Sequence, residues 1–286
     1  MHTRETINDR IANVRNHASR VFSILSERDA PHFETDDLYQ LGIHAVKVDL
    51  DEEGILGFEP CFFLPQFSKT LLTDYPLRAD SLDNRWRGGP NYEEFDFQYF
   101  CELRDFEDLD FWQHAGWLSD FVERHLEAVR DGLPHELLSL DETVPIDYSY
   151  DPRDYQIFSR LGTTTWEMYP HPVNSTSSHS IVSIHNCSRA EDTCLSRGEV
   201  LGVLNILKDN FKLESSPSED TKPCLLMSYF GEKKGRIIQA HHDGQKLVLQ
   251  YSPLVNFCDT EATVSLFLRY MTSYLIASST STLVVR

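Results

Sequence analysis

The sequence predicts an α+β fold with a mainly antiparallel sheet and helices packed on one face, and three observations in its last third carry that prediction. Ser196-Arg197-Gly198-Glu199 has the spacing of a capping box, in which the Ser196 hydroxyl accepts from the third helical N–H and Glu199 reaches back to the cap. Two short apolar runs follow, Leu225 to Phe230 and Arg236 to His241. Asp243-Gly244 then tolerates the φ > 0 of a tight hairpin before a third strand, Lys246 to Tyr251.

From the beginning of the chain, Ile7, Ile11, Val14, Ala18, Val21 and Leu25 recur at steps of three and four, which predicts a helix over 7–28. Asp29-Ala30-Pro31 ends it, because the residue before a proline leaves the α region. A stripe of this length can form a short dimer seam, though it more commonly packs on its own domain. His44 to Leu50 alternates, Asp51-Glu52-Glu53-Gly54 reads as a turn and Ile55 to Leu64 as a return strand, so a hairpin is expected. Residues 71–91 are irregular, with Arg85-Trp86-Arg87-Gly88-Gly89-Pro90 the most turn-prone segment. Trp86 there suits either a contact surface or the edge of a core.

From Asn91 to Tyr150 aromatic residues, with Leu109, alternate with carboxylates, Tyr92, Phe95, Phe97, Tyr99 and Phe100 first, then Phe106, Phe111 and Trp112. Trp117 to Val129 reads as a helix stopped by Asp131-Gly132-Leu133-Pro134. The helix capped at Ser196 carries Val200, Leu201, Val203, Leu204, Leu207 and Phe211 on its apolar side, and Ser215 to Lys222 is a polar loop. A last helix, Thr260 to Ile276, is expected to set Val264, Leu268 and Leu275 against the sheet. The division is expected near residue 150. Residues 1–150 form an acidic N-terminal α+β region and 151–286 a helix, three-strand and helix unit, or the two make one domain.

Composition narrows the functional classes. A chain of 286 residues with 41% hydrophobic content can bury a sizeable core. No apolar h-region follows Met1-His2-Thr3-Arg4 and no apolar run approaches the roughly 18 residues of a bilayer span, so a soluble, cytoplasmic protein with no membrane partner is expected. Six widely spaced cysteines favour free thiols over a disulfide framework. Of the net charge of −19, residues 91–150 hold 16 Asp and Glu against three Arg, or −13. Such a surface repels phosphate backbones, which disfavours nucleic acid, and attracts a cationic small molecule or a basic protein.

The common catalytic fingerprints are absent. There is no Gly-x-Gly-x-x-Gly, Walker loop, His-Glu-x-x-His, Cys-x-x-Cys or Gly-x-Ser-x-Gly. Candidate metal donors are His179, His185, Cys187 and Cys194, with His241 and His242 available, but His185-x-Cys187 lacks the two-to-four-residue knuckle of structural zinc sites, so no metal is predicted and no cofactor is indicated. The helix and strand order invites comparison with a magnesium nuclease core, with Glu199 on the helix and Asp243 at the hairpin, yet the third strand has no acid. His241-His242-Asp243-Gly244 is the tetrad with most chemical potential, since an aspartate can orient a histidine as general base, with Tyr229 or Cys224 as acid or nucleophile. Adjacent strand residues face opposite ways, so at most one histidine can serve a given pocket, and Asp-Gly is also explained by the turn alone.

The string Leu225-Leu226-Met227-Ser228-Tyr229-Phe230, with Gly235 to Ala240, Asp243-Gly244, Leu247, Tyr251 and Leu266 to Met271, resembles a recurrent carboxy-terminal module of uncharacterised filamentous-fungal proteins. The resemblance covers about a quarter of the chain. It implies a cytosolic setting and specialised metabolism, where one class of enzyme makes arginine-containing cyclodipeptides from charged tRNA, but it transfers no catalytic residue. Two functional expectations follow. The first is a small biosynthetic enzyme of transferase or condensation chemistry, with His241, His242, Asp243 and Tyr229 as catalytic residues and Glu102, Asp105, Glu107 and Asp108 binding a cationic or amino-acid-derived substrate. The second is a non-catalytic protein that holds a basic partner on its acidic aromatic face.

Overall fold

The capping box forms as its spacing predicts. Ser196 Oγ accepts from the Glu199 N–H at 3.1 Å, and Glu199 Oε2 accepts from the Ser196 N–H at 2.7 Å. The structure, a computed structural model, describes residues 7–78, 111–133, 166–171, 179–210, 222–259 and 261–276. In chain order its elements are α1 (Ile7–Ser26), β1 (His32–Phe33), α2 (Thr35–Gln40), β2 (Ile43–Lys47), β3 (Phe63–Leu64), α3 (Leu71–Asp74) and α4 (Phe111–Glu127). There follow β4 (Trp166–His171), β5 (Ser180–Asn186), β6 (Leu195–Ser196), α5 (Arg197–Asn210), β7 (Cys224–Phe230), β8 (Lys234–His242), β9 (Leu247–Tyr251), β10 (Val255–Asn256), α6 (Glu261–Met271) and β11 (Tyr274–Leu275).

The fold is α+β. Its main sheet runs β2-β9-β8-β7-β5-β4, with β10 on β8. The pairs β4–β5, β7–β8 and β8–β9 are antiparallel, whereas β5–β7 and β2–β9 are parallel. Helix α5 lies between the parallel strands β5 and β7 in sequence, so the unit at the sheet centre is a β-α-β crossover followed by a meander.

The helices divide between both sheet faces, where the sequence reading put them on one. Val182, Ile184, Leu226, Ile238 and Leu249 pack on α5, whose Val200, Val203, Leu204 and Leu207 face them, with Val14, Ala18, Val21 and Leu25 of α1 in the same cluster. The alternate residues Ile181, Leu225, Met227, Tyr229 and Ile237 pack instead on Leu118, Phe121 and Val122 of α4 and Val264, Phe267 and Leu268 of α6. Two covered faces explain why all seven residues of β7 are buried, and why the strand reads as a continuous apolar run.

A buried ion pair joins the helix layer to the sheet. Arg236 Nε of β8 lies 3.0 Å from Glu199 Oε1, both side chains being fully buried. The same guanidinium donates to the carbonyls of Cys194 at 3.2 Å and Glu191 at 2.5 Å. Next to Glu199 in the first turn, Arg197 donates to the Ser26 carbonyl at 2.6 Å and to that of Arg28, placing positive charge on the carbonyl end of α1.

Two elements differ from the sequence expectation. His44 and its neighbours do not pair with the return segment; β2 runs parallel to β9, with Ile43 opposite Leu247, and β3 pairs with β11. The Asp51–Gly54 turn exists, with Gly54 at φ 68°, but only the single bridge Leu50–Leu56 follows it. The last helix stops at Met271, where the hydroxyls of Thr272 and Ser273 donate back to the carbonyls of Leu268 and Tyr270, leaving Leu275 in β11. Residues 85–90, the acidic aromatic run before residue 111, Phe211 and most of the Ser215 to Lys222 loop lie outside the described residues.

Two measurements check this architecture. Leu249→Asp places an unpaired charge among α5 side chains and should abolish soluble folding; a normal yield with an unchanged melt would refute the layer assignment. Glu199→Gln leaves Arg236 buried without its counter-charge and should lower urea-unfolding stability by about 3–5 kcal/mol.

Candidate functional site

At the hairpin tip, Asp243 Oδ1 accepts from the N–H groups of Gln245 at 2.8 Å and Lys246 at 2.9 Å, while Gly244 takes φ 97°. The dipeptide is occupied by turn chemistry. Burial opposes ionisation of Asp243, but the Lys246 and Gln245 N–H groups outweigh it and hold the carboxyl below its ordinary value.

His241 and His242 face opposite sides of the sheet, as adjacent strand residues must. His241 lies against the Phe62 ring, with centroids 5.0 Å apart. His242 meets α1. Its Nδ1 accepts from the Gly244 N–H at 3.0 Å, which leaves its proton on Nε2, 3.4 Å from His17 Nδ1, and His17 Nε2 donates to the Leu41 carbonyl at 3.0 Å. Burial lowers both His241 and His242 to about 4, with His17 adding to the effect on His242.

Tyr229 is elsewhere. It pairs with Gly235, at the opposite end of β8 from His241, about 20 Å away at roughly 3.3 Å per residue. The predicted catalytic set of His241, His242, Asp243 and Tyr229 therefore does not converge. Cys224 faces the α5 layer, away from Tyr229, and burial pushes its thiol up to about 12, which removes it as a nucleophile. Glu199, the helical acid of the nuclease comparison, is committed to the cap and to Arg236. Glu102, Asp105, Glu107 and Asp108 lie outside the described residues.

What Tyr229 does join is a polar cluster between α4 and the sheet. Glu123 Oε1 accepts from Ser119 Oγ at 2.7 Å, one turn earlier on α4, and from Ser183 Oγ of β5 at 3.1 Å. The Ser183 oxygen is also 2.7 Å from His171 Nε2 of β4, and that nitrogen is 3.7 Å from the same carboxylate oxygen. Ser183 has one proton. With it donated to Glu123, the oxygen accepts from His171 Nε2–H, so proton donation runs from imidazole through hydroxyl to carboxylate. The Tyr229 hydroxyl donates to the Met271 sulfur at 3.9 Å, and burial and the nearby Glu123 hold it well above its ordinary value. His171 and His185 are both lowered by burial, His185 to about 4 with His171 contributing, and the His185 ring stands 6.3 Å from that of Tyr229. Asp120, on the same helix, is raised by burial and by Glu123.

Comparison with protein-family models, curated proteins and solved structures yields no significant match. The chemistry of the site therefore rests on its geometry.

The sequence reading found Tyr229 and missed Ser119, Glu123, His171 and Ser183, which come from three separate elements with no shared spacing. A signal did exist. Ser183 interrupts the apolar run Ile181-Val182-Ser183-Ile184, and Ser119 and Glu123 stand four apart on a helix side flanked by buried Leu118 and Val122. The six metal donors singled out by sequence do not assemble. His179 bonds the Ile276 carbonyl, His185 packs near Tyr229, and the tip histidines face Phe62 and His17. Among the described residues one mixed donor group converges, His32, Glu191 and Cys194, at the start of α5.

The buried histidines set a pH dependence. His185, His241 and His242 protonate near 4 in the native protein, and His125, beside Arg130, near 3, against about 6.5 unfolded. Between those values the unfolded chain binds more protons. Stability should be level above pH 6.5 and fall as pH drops toward 4, by up to about 1.4 kcal/mol per pH unit for each histidine. Urea midpoints measured across this range check it, and a midpoint that rises on acidification would contradict it.

Proposed function

We propose that the protein is an enzyme of transferase or condensation chemistry acting on a cationic, amino-acid-derived substrate, with the Glu123–Ser183–His171–Tyr229 cluster as its reaction centre. The observation that carries the reading is that one carboxylate oxygen receives two serine hydroxyls beside an imidazole, within an interface otherwise built of Leu118, Phe121, Val122, Leu225 and Met227. Shifted titrations of His171, His185 and Tyr229 in one place, each caused first by burial, fit a functional site. Ser183 Oγ is the candidate reacting oxygen, Glu123 accepts its proton, and His171 N–H stabilises charge on it. Glu123 keeps about a third of its side chain exposed, which puts the open side of the cluster on α4 and suits a carboxylate that also pairs with a substrate ammonium. The acidic 91–150 segment leading into α4 favours approach of a cation, and the resemblance of the C-terminal module supports a place in fungal specialised metabolism.

A second reading rests on the same −13 charge: capture of a basic protein on the acidic aromatic segment. Thermal shift against a panel of arginine, lysine, ornithine, agmatine and putrescine separates the two. A panel member at about 100 times its Kd should add about 2.7 kcal/mol of stability to the wild type. The gain should vanish in Glu123→Gln and persist in Ser183→Ala, which loses chemistry but keeps the anchoring carboxylate. A panel without effect, or an equal gain in Glu123→Gln, overturns the enzyme reading. Salt-sensitive capture of a basic protein, equal in wild type and Glu123→Gln, supports the second.

A further inference from the structure

We propose that His32, Glu191 and Cys194 form a site for a zinc-class divalent ion at the junction of β1, β6 and α5. The three side chains come from two places in the sequence. Glu191 and Cys194 stand three residues apart on the loop that enters β6, and His32 is brought to them because β1 pairs with β6 in the register His32–Ser196 and Phe33–Leu195. One ligand atom from each lies within 4.8 Å of the others. His32 Nδ1 is 3.6 Å from Glu191 Oε1, and Cys194 Sγ is 3.3 Å from Glu191 Oε2. Tetrahedral zinc with bonds of about 2.0–2.3 Å separates N, O and S ligands by about 3.3–3.6 Å, so the imidazole and the thiol, each against one oxygen of Glu191, need to close by about an ångström at most.

An independent observation points to a cation. His32 Nε2 donates to the Arg189 carbonyl at 2.7 Å, which fixes the ring and turns Nδ1 toward Glu191. That nitrogen faces a carboxylate oxygen at 3.6 Å, a gap of the size that a shared cation bridges. A backbone carbonyl behind the outer nitrogen of an imidazole is also how metal-ligating histidines are oriented.

The scaffold around the ligands is stiff. Arg236 grips the main-chain carbonyls of both Glu191 and Cys194, and its own charge is balanced by Glu199. Extending the β1–β6 register by one step puts Glu34 opposite Cys194, and its charge is felt at the thiol, so a further carboxylate or a water can complete the coordination. The Cys194 thiol donates its proton to Glu191 at 3.3 Å. The ion takes the place of that proton: Cys194 S–H becomes a metal–thiolate bond, and one proton is released to solvent for each ion bound.

Cobalt(II) is the probe, because thiolate ligation gives it a near-ultraviolet charge-transfer band. The full-length protein titrated with Co2+ should develop that band at one equivalent, lose it on addition of Zn2+ in the same stoichiometry, and melt at a higher temperature with Zn2+ than with chelator. Cys194→Ser should abolish the band. His32→Gln, at a half-buried position whose change leaves the core intact, should weaken Co2+ binding tenfold or more, and it decides the matter if the Cys194 variant does not fold. A titration without a band, a band retained in Cys194→Ser, or His32→Gln binding as the wild type does would overturn the site.

Discussion

The buried pair of Arg236 and Glu199 is the constraint on which the arrangement of layers depends. Two charges without solvent are tolerated because each meets the other and a hydrogen-bonding partner on the main chain. Glu199 closes the cap of α5 with one oxygen and meets the guanidinium with the other, while Arg236 holds the two carbonyls of the entering loop. The cap then continues into the sheet. Ser196 Oγ donates to Asn186 Oδ1 at 2.8 Å, and Asn186 Nδ2 donates to Ser228 Oγ at 3.0 Å and the Tyr229 carbonyl at 3.1 Å. One polar thread thus fixes where α5 starts, how it sits over β5 and β7, and, through Arg197, where α1 ends. Apolar packing on α5 supplies most of the attraction, but it is non-directional and would not by itself select this placement.

Legibility followed sequence distance. The capping box, the Asp243–Gly244 hairpin and the strands on either side are specified by residues a few positions apart, and the structure contains them as read. The partner of β2 could not be found in this way, because alternation in residues 44–50 says that a strand exists and not which edge it joins. Local reasoning supplied the nearest partner and was corrected. The number of covered faces was legible but misread: Leu225 to Phe230 is apolar at successive positions, which is the pattern of a strand with helices on both sides.

The candidate site illustrates the same limit. Tyr229 was visible because it lies in a conspicuous strand, whereas Glu123, His171 and Ser183 meet only after α4 is laid across β4 and β5. The two faces also differ in kind. The buried polar groups of the α5 side are taken up by the helix cap and the Arg236–Glu199 pair, while the α4 side buries serines, imidazoles, a phenol and a carboxylate among its apolar residues. Unequal chemistry on the faces of one sheet concentrates titratable groups where a helix edge keeps them near solvent.

The parallel pairing of β2 with β9 has a consequence for how the chain is made. Ile43 needs Leu247, and the apolar stripe of α1 needs α5, so these earlier elements wait for partners made much later. Until α5 is made, Val14, Val21 and Leu25 of α1 lack the helix they pack on, and packing of this kind supplies most of a helix's stability. Closure of such distant contacts is slow, and the interval is when nascent chains associate wrongly. The topology thus carries its risk of misassociation into synthesis, and a truncation that removed β9 would leave β2 without its partner as surely as β8.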